Sequence, residues 1–257
     1  MTTQLAPPRN TALDLPQYRL LGILGVWAAA ALPMGALAWL VAPWLVNRLD
    51  GPQPLTQALL ITLTAGLAWQ LVLVLLLLRR EQGRLTWSGI RDGLWLHAPT
   101  SPRSGRRGGR VWWSVVPYLL GFGLWTLVPS IPGPSPRDLG AFLESTAGGD
   151  FFAGSWGWFA VVVLLAVLNT ALGEELLFRG LLLPRMQGVF GRGDWLANGV
   201  LFALYHLHTP WTIPSALSDS IFLAYPSSRF RSAWMGIVVH STQSVVIIAA
   251  VLVAVLA

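Results

Sequence analysis

The sequence predicts an all-α, polytopic membrane protein, a bundle of about seven to eight spans with a cavity among its carboxy-terminal helices. Three observations predict it. Of 257 residues, 54% are apolar and only 11% charged, against roughly 25% charged in a soluble domain. The mean hydropathy is +0.59, with several runs as long as the ~20 residues a span needs. The 17 basic residues are all arginine and cluster between those runs, as in cytoplasmic loops. A net charge of +6 and a pI near 11.0 therefore read as topology, and no nucleic-acid partner is expected. The absence of cysteine excludes disulfides, thiolate nucleophiles and cysteine metal sites. Arginine-only usage suits a GC-rich, bacterial coding sequence.

The first 18 residues are polar and carry proline, and the run Leu20 to Val46 is too long for a signal-peptide core, so it reads as a retained anchor. A second span, Leu55 to Leu78, closes at Arg79-Arg80. From there to Arg110 the arginines face only Glu81 and Asp92, which places the link in the cytoplasm. Within it, Leu85 to Leu96 suits a short interfacial helix. Val111 to Ile131 forms a third span, and the Pro/Gly-rich link Pro132 to Asp150, with three carboxylates against Arg137, belongs outside. Trp156 begins a helix that runs through Leu172 to a stop at Pro184-Arg185. Two shorter segments, Leu196 to His208 and Trp211 to Tyr225, and a last run, Ala233 to Ala257, complete seven crossings. Residues 1–155 form an amino-terminal set of spans and 156–257 a carboxy-terminal core, both within one membrane domain. The expected location is the cell membrane, multi-pass, with a cytoplasmic amino terminus.

Ionisable groups at membrane depth cost about 2.5–3.5 kcal/mol each on insertion scales, so their placement is the functional signal. The first three spans have none, whereas the carboxy-terminal half carries Glu174, Glu175, Arg179, His206, Asp219 and His240. Counting from the basic loops at about 1.5 Å per residue puts Glu174, His206 and His240 roughly 14–18 Å deep on three helices. Glu175 and Arg179, four apart, can pair on one face, leaving Glu174 turned about 100° away. Phe202 with His206, and His240 with Ser244, are likewise four apart. His206 and His208, two apart on one helix, face opposite ways. Asp219 has no partner that spacing identifies, and His97 lies in the cytoplasmic link.

These residues resemble those of the CPBP intramembrane proteases, which include the CAAX prenyl endopeptidases and the bacteriocin-processing or Abi-like proteins. The resemblance rests on Glu174-Glu175-Leu-Leu-Phe-Arg179-Gly, then Phe202-Ala-Leu-Tyr-His206, then His240-Ser-Thr-Gln-Ser244, and covers Trp156 to Ala257. It implies a helical membrane endopeptidase whose Glu174 is the general base and whose His206 handles the attacking water. His240 would stabilise the oxyanion, helped by Ser244 where the family has asparagine or aspartate. Glu175, Arg179 and Phe202 would orient these groups. A serine reaches less far than an amide, and losing an oxyanion donor can cost about 3–4 kcal/mol. Gln243 sits about 100° from Ser244 and would substitute only in a distorted turn.

The expectation is thus a hydrolase that cuts a membrane-associated peptide or protein, prenylated or a leader peptide, in a cavity opening to the cytoplasm without a cofactor. Its partners are that substrate and the lipid bilayer. Three rivals stand beside it. One is a zinc-dependent protease holding its ion on Glu174, His206 and His240. Another is a non-enzymatic binding or immunity protein of the same fold. The last is a proton-coupled transporter, which the lack of repeats and of polar groups in the first three spans disfavours.

Overall fold

In a computed structural model of the protein, residues 15–128 and 131–257 are described. The helices in chain order are α1 (Leu20–Val46), α2 (Pro54–Gln82), α3 (Val116–Trp125), α4 (Trp156–Arg185), α5 (Asp194–Tyr205), α6 (Tyr225–Phe230) and α7 (Ala233–Leu256). Shorter helices fill the links, among them Trp87–Gly93 where the interfacial helix was expected. Its N-cap Thr86 accepts a hydrogen bond from the amide of Gly89 at 3.1 Å, which satisfies one of the helix's free first-turn donors.

Among the described residues, helices α1, α2, α4 and α7 are the four long and apolar enough to cross a membrane. Their outer faces stay apolar, with Leu21, Leu40, Val246 and Val253 all exposed, so lipid is the natural solvent for this surface. In lipid the inward faces associate by close packing. Gly173 of α4 lies against the Leu67 carbonyl of α2, and Gly199 of α5 against Ser220; a Cβ at either would collide. Pro33 cannot donate to the carbonyl four residues back in α1. The Trp69 indole of α2 bonds that Ala29 oxygen instead, at 2.9 Å.

The shorter elements are half-height. Helix α5 has 12 residues and α3 has 10, so they rise about 18 and 15 Å, short of the ~30 Å hydrocarbon core. All of them rest at the arginine-rich end. Helix α3 follows Arg110 through the 3-10 turn Gly109–Val115, α5 follows Arg192, and Phe230 at the foot of α6 accepts from the Thr100 amide at 2.8 Å. The opposite half of the bundle is therefore incompletely filled.

Two sequence expectations change here. The expected span Val111 to Ile131 is a 3-10 turn followed by the short α3. The expected span Trp211 to Tyr225 is not one helix: Pro210–Thr212 and Ile213–Ala216 form a polar turn, and the descending segment is the π-helix Ser220–Ala224 plus α6. Pro210, Pro214 and the hydroxyl-rich stretch to Asp219 break the helical pattern. The amino terminus expected in the cytoplasm lies, up to residue 14, outside the described residues.

Candidate active site

The decisive local feature is in α4. It is α-helical to Val167, then π-helical over Leu168–Gly173 and again over Leu176–Leu182. A π-helix closes i→i+5 bonds, so residues five apart come onto one face. This aligns Asn169 with Glu174. With its amide nitrogen turned inward, as the neighbouring acceptors require, Asn169 donates to both Glu174 oxygens at 2.9 and 3.2 Å. The Tyr205 hydroxyl faces the same carboxyl, while accepting from Gln70 Nε2 at 2.7 Å. Glu174 is only 2% exposed, and what it exposes borders a cavity of about 480 Å³.

Glu175 points elsewhere. Its Oε1 lies 3.1 Å from Arg179 Nη1 and 3.0 Å from His240 Nδ1, so the expected pair exists and reaches on to α7. Gly236 permits it, since a Cβ there would strike the Glu175 carboxylate. The Arg179 guanidinium stacks on Phe202, 4.0 Å from the ring centroid. Phe202 in turn meets His206 and His240 edge-on, at 5.0 and 6.1 Å between centroids. Phe202 thus separates and fixes the two histidines.

The histidine tautomers follow from these contacts. His206 Nδ1 lies 2.9 Å from the Phe202 carbonyl, which can only accept, so Nδ1 carries the proton and Nε2 keeps a free lone pair. His240 turns its Nδ1–H to Glu175, and its Nε2 has no hydrogen-bond partner among the described residues. Because α5 ends at Tyr205, His206 and His208 are not on one helix as expected; their rings stack at 5.4 Å and 25°, and both line the cavity.

Ser244 is placed differently from expectation. Its hydroxyl contacts the Ala166 carbonyl at 3.3 Å and Thr170 Oγ1 at 3.1 Å, and it does not border the cavity. It ties α7 to α4. Gln243, expected to face away, does line the cavity, as does Asp219. The cavity lies away from the arginine-rich links. Its walls come from Leu59, Trp125, Val128, Arg137 to Gly140 and the Thr209 to Asp219 turn, and no residue of the arginine-rich links contributes.

Among the described residues, no group of three or more histidine and acidic side chains is arranged to hold a metal ion.

Residues 156–246 match the family model described as type II CAAX prenyl endopeptidase Rce1-like. Through this segment, about a third of the chain, the protein is similar to the CAAX protease family. The matched stretch holds all the floor residues of the cavity, from Asn169 and Glu174 through His206 to His240 and Gln243. The CAAX protease family is one of hydrolases acting on peptides or proteins at membranes, which agrees with four membrane-length helices around a buried polar floor. No curated protein and no solved structure matches the chain. Sequence reasoning missed Asn169, because five residues is the wrong interval in a regular α-helix. The polar pair Asn169-Thr170 inside an otherwise apolar run was the available signal.

Proposed function

We propose that the protein is an intramembrane endopeptidase using a water activated by Glu174. The observation that carries this is the convergence, on one cavity floor, of a carboxylate held by an amide and two imidazoles whose outer nitrogens are free. Glu174 takes a proton from water as the oxygen attacks the peptide carbonyl carbon. His206 Nε2 accepts the water's second hydrogen and so fixes its orientation. The oxyanion is met by the Nε2–H of His240, whose Nδ1 faces Glu175, and by the Gln243 amide. Glu174 then delivers its proton to the amide nitrogen as the C–N bond breaks. Arg179 and Phe202 act as positioning residues, Arg179 through Glu175 and Phe202 through both rings.

The chain crosses the bilayer seven times in this reading, three of the crossings made by short elements. The reaction needs no metal. The test is cleavage of a quenched fluorescent peptide library, prenylated members included, by protein purified in detergent. Wild type cleaves with or without a strong chelator and Glu174→Gln does not. Equal cleavage by the variant would overturn the reading, and loss on chelation restored by zinc would replace it with the metal-dependent one.

A further inference from the structure

The arginines define two unlike ends. Apart from Arg48 and Arg137, every described arginine outside the bundle interior lies at the end where α1 begins and α2 and α4 finish. The other end carries Asp50, Asp138, Glu144 and Asp150. Short basic loops are retained in the cytoplasm. The half-height helices fill that basic half, and the cavity occupies the half above them.

The far wall is built for a guest. Thr212, Ser215 and Ser218 donate their hydroxyl hydrogens to the carbonyls of Thr209, Thr212 and Ser215, at 2.8, 2.9 and 2.7 Å. All line the cavity. Their hydrogens being spent, the oxygens remain as acceptors spaced three residues apart, and Asp219 extends the row with a carboxylate that has no hydrogen-bond partner among the described residues. A row of acceptors suits the N–H groups of an extended peptide. Facing it is the link 131–143, which Arg137 anchors by donating to the Ala38 carbonyl at 3.0 Å and stacking on Trp39 at 4.2 Å. Asp138 stiffens the same link by accepting from the amides of Gly133 and Ala141, at 2.8 and 3.1 Å.

We propose that the substrate is an extracytoplasmic peptide segment, which reaches Glu174 from the side opposite the basic loops along the acceptor row Thr212 to Asp219. This rests on the protease reading and assigns its substrate class: the exported part of a membrane-anchored protein or peptide. A lipidated chain end in the cytoplasmic leaflet would approach from the closed, basic side.

The absence of cysteine permits a direct test in the full chain. Thr212→Cys and Ser104→Cys are treated with a membrane-impermeant maleimide, in bacterial spheroplasts and in inverted vesicles. The same preparations, carrying wild type or Glu174→Gln, are given a membrane-impermeant quenched peptide library. The proposal predicts that Cys at 212 labels in spheroplasts, Cys at 104 only in inverted vesicles, and that Glu174-dependent cleavage occurs in spheroplasts. Ser215→Ala combined with Ser218→Ala then raises KM and leaves kcat unchanged. Labelling at 104 from outside, or cleavage confined to inverted vesicles, overturns the proposal. Outward labelling at 212 without Glu174-dependent cleavage from either side, or in detergent, overturns the protease reading itself, so the two failures are told apart.

Discussion

Two fully buried arginines stand six residues apart near the end of α4, and their surroundings differ completely. Arg185 is saturated. Its Nε and Nη2 reach the two Glu81 oxygens at 2.9 and 2.6 Å, and Nη1 reaches the carbonyls of Gly93 and Leu181 at 2.9 Å. Tyr18 adds a hydrogen bond to the same glutamate. Arg179 has the Glu175 ion pair and the Phe202 face, but none of its nitrogens makes a well-aligned hydrogen bond. Buried polar groups in a settled structure are nearly always satisfied, mostly by the backbone and by neighbouring side chains or water. The basic half is thus a fastening that joins α1, α2, the Trp87–Gly93 helix and α4. At Arg179 the ion pair and the Phe202 face hold the guanidinium with fewer hydrogen bonds than Arg185 has.

The sharpest division of the two halves should come from Glu174→Gln. Removing a general base costs about 10²–10⁴-fold in rate, and kcat should fall in that range while the protein still purifies folded. Arg185→Ala should do the reverse. Breaking a buried ion pair leaves a stranded charge at a cost of about 3–5 kcal/mol, visible as earlier thermal unfolding in detergent, with the surviving folded fraction still cleaving peptide. If that fraction were inactive, the basic half would belong to the site.

Asn169→Leu tests the π-helical contact. Hydrogen bonds to charged groups are worth about 1.5–3 kcal/mol, so kcat should drop roughly 10- to 150-fold with KM little changed. Ser244→Ala should matter least to chemistry: its lost hydroxyl contacts cost at most about 1.5 kcal/mol of stability, and kcat/KM should hold. A large fall in kcat/KM would return Ser244 to the oxyanion.

The smallest effect concerns pH at the basic end. Burial, reinforced by Arg107, lowers the proton affinity of His97 from its usual value of 6.5. A base whose pKa is lower folded than unfolded contributes no penalty above the unfolded value and destabilises as pH falls below it. Thermal stability should therefore decline below about pH 6.5, and His97→Gln should flatten that decline. An unchanged slope would free His97 of this role.

Much of this was legible in the sequence. The four long helices, the Glu175–Arg179 pair and the shared level of Glu174, His206 and His240 all follow from regular helical spacing and the cost of burying charge. What was not legible has one common cause, departure from 3.6 residues per turn. The π-helix joined Asn169 to Glu174. The end of α5 at Tyr205 brought His206 and His208 together. Prolines 210 and 214 turned an expected span into a cavity wall. Arg185 was read as one more loop charge, because its partner Glu81 is 104 residues away.

The central claim is that Glu174 is kept for chemistry and not for the fold. The melting temperature of Glu174→Gln in detergent, beside that of wild type and Arg185→Ala, tests it most directly. The account predicts a value equal to or above wild type, because an amide is less costly to bury than a carboxylate. A fall comparable to that of Arg185→Ala would make Glu174 a structural fastening and contradict it.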